Sequence, residues 1–174
     1  MLRKISTLAL VTLALLSVDA QKNKNTQYND GVERPKLVVG IVVDQMRWDF
    51  LYKYQAKYGN GGFKRLLNEG YSFNNVMIDY IPTVTALGHT SIYTGSVPSI
   101  HGIAGNDWTD KETGKNGYCT TDETVNAVGT EAKKIGQHSP RNRWSTTITD
   151  QLGIATNFRA KVVGVSLKDR ASIL

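Results

Sequence analysis

The run KLVVGIVVD, residues 36–44, restricts the fold more than any other stretch of this 174-residue chain. Its β-branched residues follow one another without alternation. A strand with one face in water would alternate apolar and polar side chains. An unbroken run fits a strand buried on both faces, the setting of a parallel sheet. AKVVGVSLKDR, residues 160–170, repeats the pattern and also ends in charge. Between them the periodicity changes. MRWDFLYKYQAKYG places Trp48, Leu51, Tyr52 and Tyr58 at helical spacing, with Gly59 as a stop, and GFKRLLNEG predicts a second helix closed by Gly70. YSFNNVMIDY alternates enough for a strand, and a helix starts near Thr85 and ends at Gly95. Residues 96–144 predict long loops with one short hairpin, after which Ser145 caps a helix over TTITDQLGIA. Strand, helices, strand, helix, loops, helix, strand is the order of a βαβ α/β sheet. In such sheets functional groups collect beyond the carboxyl ends of the strands.

Three boundaries precede that core. Residues 1–20 carry a basic start (Arg3, Lys4), an apolar stretch from Ile5 to Val18, and Val18-Asp19-Ala20 at a cleavage position. This is the pattern of a secretory signal peptide, too short to span a bilayer. Residues 21–35 are polar and aperiodic, a flexible lead-in closed by Pro35. Residues 36–174 form the structured part. The expected product is exported, periplasmic or secreted, without a membrane anchor. Losing Arg3, Lys4 and Asp19 with the signal takes the net charge from +6 to +5. That balance suits anionic substrates. No Lys/Arg-rich run points to nucleic acid, and nothing indicates an oligomeric state. The single cysteine, Cys119, excludes an internal disulfide framework and reads as a small buried residue or a loop thiol.

Candidate chemistry falls at the strand ends. Asp44 terminates the first apolar run, where a carboxylate either holds a metal or caps the next helix. Thr85, just beyond a strand and Pro82, stands at a helix start. It is either a cap, like Thr83 and Thr90, or a hydroxyl at a site that favours anions; as a nucleophile it needs a base or a metal. His89 lies one turn further and is either a ligand or base, or a packed side chain bonded to backbone. His101 and His138, in Gly/Ser/Pro loops, read as structural. Asn106, in HGIAGNDW, is a turn residue or an amide donor to an oxyanion. Lys168 and Arg170 flank Asp169. In an extended segment they would face one way and form either a phosphoryl clamp or a surface charge cluster.

Taken together, KLVVGIVVDQMRWD, PTVTALGHTSIYTG, HGIAGNDW and SLKDR resemble the alkaline phosphatase superfamily. The nearest branch is the zinc-dependent, phosphate-irrepressible alkaline phosphatases with a threonine nucleophile. The resemblance runs from about Pro35 to Leu174. It implies a three-layer α/β/α sandwich with a mostly parallel sheet, of which this chain is the N-terminal part. It implies Thr85 as nucleophile, Asp44 and Thr85 as ligands of one of two zinc ions, and Asn106, Lys168 and Arg170 as phosphoryl-binding groups. The implied reaction is hydrolysis of phosphate monoesters through a phosphothreonine intermediate. The family's remaining zinc ligands lie beyond the position matching Leu174, so the chain is expected to be a fragment, inactive alone. Two rival functions stay open: a type I phosphodiesterase/nucleotide pyrophosphatase of the same superfamily, which usually lacks the Lys/Arg pair, and a non-catalytic exported binding module. A sulfatase is excluded, because Cys119 is followed by TTDE rather than the required C-x-P-x-R context.

Overall fold

The computed structural model describes residues 35–174; the signal-peptide reading (1–20) and the lead-in up to residue 34 lie outside the described residues. Val42–Leu174 make one compact unit, and residues 35–41 group apart from it. In chain order the elements are α1 (Phe50–Lys53), a 3-10 turn (Gln55–Lys57), α2 (Gly62–Glu69), α3 (Thr85–Thr94), α4 (Pro98–His101), β1 (Asp107–Thr109), β2 (Asn116–Tyr118), a second 3-10 turn (Lys133–Gly136), α5 (Ile148–Ala155) and α6 (Asp169–Ile173).

Helix α3 is the hub, and α4, α5 and α6 pack against it. Its buried residues Ala86 and Leu87 form the core with Ile103, Cys119 and Leu174, flanked by Tyr80, Val84, Trp108 and Tyr118. The helix ends as expected: Gly95 adopts φ +63°, the left-handed conformation that glycine takes without a Cβ penalty. Much of what is buried beside this core is polar, so it must be bonded internally. The Thr90 hydroxyl donates to Ala86 O at 2.6 Å. His101 Nδ1 accepts from the Ile103 N–H at 3.2 Å, which leaves its proton on Nε2, facing Ser91 Oγ at 3.1 Å. Burial lowers the His101 pKa and favours this neutral ring.

Gly102 ends α4 at φ +82° and turns the chain toward Asn106. A Cβ there would lie 2.6 Å from the Trp144 ring. Gly102→Ala is therefore expected to cost about 1–3 kcal/mol. A lowered Tm of the full-length protein checks this; an unchanged one would show that the turn has another solution.

The helix expected after Ser145 begins two residues later, capped by Thr147. Its hydroxyl accepts from the Asp150 N–H at 3.1 Å, and the Asp150 carboxylate accepts from the Thr147 N–H at 2.8 Å. Such a box needs an acid three residues after the cap, and Ser145 has Ile148 there. The first expected helix is shortened to α1 and a 3-10 turn, breaking at Tyr54. Gly70 closes α2 as expected, but in extended conformation. It is a close approach that calls for glycine, since a Cβ would sit 2.5 Å from Leu66 O.

The strand expectations for 36–44, 71–80 and 160–170 are not met among the described residues. Among the described residues the only strand pairing between elements is the antiparallel β1–β2 hairpin, with Asp107 opposite Tyr118. The apolar runs lack ladder partners and are exposed, with Leu37 at 78%, Val165 at 89% and Leu167 at 105%. Apolar patterning selects residues fit for a buried strand. It does not by itself supply the neighbouring strand that buries them.

Candidate active site

Thr85 is the first residue of α3, but it is not the cap. Val84 holds that position with extended φ/ψ, and no side chain caps the helix. The Thr85 hydroxyl instead donates to Asp44 Oδ2 at 2.9 Å, across 41 residues of sequence. Asp44 caps nothing either, since Asp49 occupies the N-cap of α1. Both local explanations for these residues fail, and the two side chains meet each other. The meeting point is the positive end of a ten-residue helix dipole.

Asn106 joins the same place. Its Oδ1 accepts from the Ala86 N–H at 3.0 Å, so it is not merely a turn residue. An N–H bonds only to the amide oxygen, which fixes the orientation of the amide and leaves its NH₂ for another acceptor. His89 supports the site from behind: it is buried, and its ring Nδ1 faces Thr85 O at 2.9 Å. It is the packed, backbone-bonded histidine.

Lys168 and Arg170 leave the backbone differently from the extended geometry expected of them. Lys168 is the extended N-cap of α6, whereas Arg170 is the second helical residue. Lys168 is exposed; Arg170 is half-buried and donates from Nη1 to Tyr118 Oη at 2.9 Å. That bond raises the pKa of the guanidinium, so it remains a cation. Asp169, between them, accepts from Tyr118 Oη at 2.9 Å and Thr120 Oγ1 at 3.0 Å. Burial pushes its carboxyl up, but these hydroxyls and the Arg170 N–H outweigh burial, and its pKa is lowered. His138 Nδ1 lies 3.3 Å from the same carboxylate. Sequence reading missed Tyr118, Thr120 and the tie to His138. No local pattern links residue 118 to residue 170, so only the fold reveals them. Cys119 is fully buried, and burial pushes its thiol up to about 11, as suits a packed, inert residue.

Asp44 and Thr85 present two hard oxygen donors side by side, a chemistry that suits a divalent cation. Among the described residues no group of three His, Cys, Asp or Glu side chains is arranged to hold a metal. Two oxygen donors are fewer than the three or four protein ligands that zinc usually takes. A groove of about 530 Å³, lined by Met46, Trp48, Leu51, Phe63 and Leu66 among others, is apolar and includes none of the candidate residues. No helix among the described residues is long and apolar enough to cross a membrane.

A family model described as type I phosphodiesterase / nucleotide pyrophosphatase matches residues 38–168. The chain belongs to this family. Alkaline phosphatase PafA of Elizabethkingia meningoseptica is 76% identical over 148 residues, 85% of this chain and 27% of that protein. A Myroides odoratus protein named calcium-transporting ATPase is 61% identical over 146 residues, 84% of this chain and 26% of that one. A solved structure of a PafA variant matches with a TM-score of 0.79 at 75% identity, covering 82% of this chain and 28% of that chain. The variant has one threonine changed to serine and one asparagine, one lysine and one arginine changed to alanine. The chain thus shares the mixed α/β alkaline phosphatase fold and spans about a quarter of the length of these relatives.

Proposed function

We propose that the chain is the part of an exported, zinc-dependent alkaline phosphatase that carries the nucleophile, and that the whole protein hydrolyses phosphate monoesters. The observation that carries this reading is the Thr85–Asp44 pair: a hydroxyl at a helix N-terminus, released from capping and bonded at 2.9 Å to a carboxylate 41 residues away in sequence. Asp44 and Thr85 would hold one zinc of a two-zinc site. Bound there, zinc supplies the positive charge that makes an alcohol acidic enough to ionise near neutral pH.

The chain's own residues do the rest. Thr85 Oγ1 attacks phosphorus in line, its new O–P bond forming as the bond to the leaving alcohol breaks, which gives a phosphothreonine. Water then attacks phosphorus, releasing inorganic phosphate and restoring the hydroxyl. The dipole of α3 favours the anion at this point. The Asn106 NH₂, aimed by the bond from Ala86, donates to a phosphoryl oxygen. Lys168 and Arg170 supply two cations for the dianionic monoester. Further support comes from the four substituted residues of the PafA variant. They recur in the same order and at the same spacings as Thr85, Asn106, Lys168 and Arg170.

The family description favours a second reading, in which diesters are the substrates. Lys168 and Arg170 separate the two. Replacing both by alanine in the full-length protein is expected to lower kcat/KM for an aryl phosphate monoester about 100-fold or more, and for a bis-aryl diester about tenfold or less. Equal losses would favour the diesterase.

A further inference from the structure

Arg170 is held in a way that its own helix does not explain. Its Cζ lies 5.8 Å from the centroid of the Tyr118 ring, and Nη1 donates to Tyr118 Oη at 2.9 Å. Its Nε is buried with no hydrogen-bond partner among the described residues, and Tyr118 carries the fixing of this guanidinium. The phenol proton is committed elsewhere, to Asp169 Oδ1 at 2.9 Å. Asp169 Oδ2 in turn accepts from Thr120 Oγ1 at 3.0 Å. With the Thr120 proton spent there, the His138 Nδ1–H donates to Thr120 Oγ1 at 3.0 Å and lies 3.3 Å from Asp169. The ring itself is set by packing on the core, by an edge-to-face contact with His138 at 5.9 Å, and by its place in β2.

That place matters. Tyr118 pairs with Asp107, the neighbour of Asn106, and the Cys119 N–H donates to Asn106 O at 2.9 Å. One end of one hairpin therefore sets both the amide and the guanidinium.

We infer that Tyr118 is a positioning residue for Arg170, and that its hydroxyl, anchored by Asp169, sets the preference for monoesters over diesters. The inference rests on the assignment of Arg170 to the phosphoryl group made above. A guanidinium placed in advance loses little freedom when substrate binds. A monoester offers it one more unsubstituted, charged oxygen than a diester does. The benefit of placement therefore falls on the monoester.

The test uses the full-length protein with an aryl phosphate monoester and a bis-aryl diester. Tyr118→Phe keeps the ring beside the guanidinium and removes only the bridging oxygen. It is expected to lower monoester kcat/KM about tenfold and weaken inhibition by inorganic phosphate to a similar degree, with diester turnover changed less than about twofold. In an Arg170→Ala background the same substitution should change nothing further. Equal losses on both substrates, or losses that multiply with those of Arg170→Ala, would overturn the proposal and leave Tyr118 a packing residue. If Tyr118→Phe does not fold, Thr120→Val loosens Asp169 one step further out. It should give a smaller loss, about threefold, again confined to monoesters and absent without Arg170; an unselective loss overturns the inference. If Arg170→Ala alone harms both substrates equally, the assignment of Arg170 fails and this inference goes with it. A selective Arg170→Ala beside a silent Tyr118→Phe overturns the inference alone.

Discussion

Thr85→Ala in the full-length protein is expected to lower monoester hydrolysis by a factor on the order of 10⁴ or more while leaving Tm within about 1 °C. Both halves follow from the position of the residue. Removing a nucleophile removes the covalent route, and what remains is binding and electrostatic help. The fold loses little, because Thr85 is not the cap of α3. Its one side-chain bond, to the exposed Asp44, is worth no more than about 1 kcal/mol. Alanine is also the better helix former at that site. Thr85→Ser should keep turnover within about 100-fold and still trap phosphate on residue 85 after acid quenching. Full activity in the alanine variant, or label trapped on another residue, would remove Thr85 from the mechanism.

Asp44→Ala separates the metal from the nucleophile. If Asp44 anchors a zinc, the purified full-length variant should hold about one zinc per chain where the parent holds two, and activity should fall at least about 1000-fold. Thr85→Ala should retain most of its zinc, since the carboxylate is still there. Metal analysis beside activity therefore tells the two roles apart. Zinc content unchanged by Asp44→Ala would end the ligand assignment and support the binding-module reading.

What the sequence revealed depended on range. Helix α3 was legible at both ends, because a start after Pro82 and a glycine stop are local signals. Asp44, Thr85 and Asn106 were legible as candidates, and the fold ties them together through two hydrogen bonds that span 41 and 20 residues. The cap of α5 lies two residues beyond Ser145 because its deciding partner, Asp150, stands three residues after Thr147. The apolar runs were recognised as strand material, but burial depends on neighbours that a run cannot name. The support of Arg170 was invisible for a related reason: Tyr118 is 52 residues away, in the short hairpin expected within 96–144, and no local signal ties that hairpin to Arg170.

The amide of Asn106 sets the electrical character of one edge of the candidate site. Exchanging it for the isosteric carboxylate, Asn106→Asp, would keep the contact with Ala86 and the shape of the side chain. The edge not bonded to Ala86 would change from an offered hydrogen to a negative charge. On the proposed reading, a site that favours a dianion would then repel it, with hardly an atom displaced.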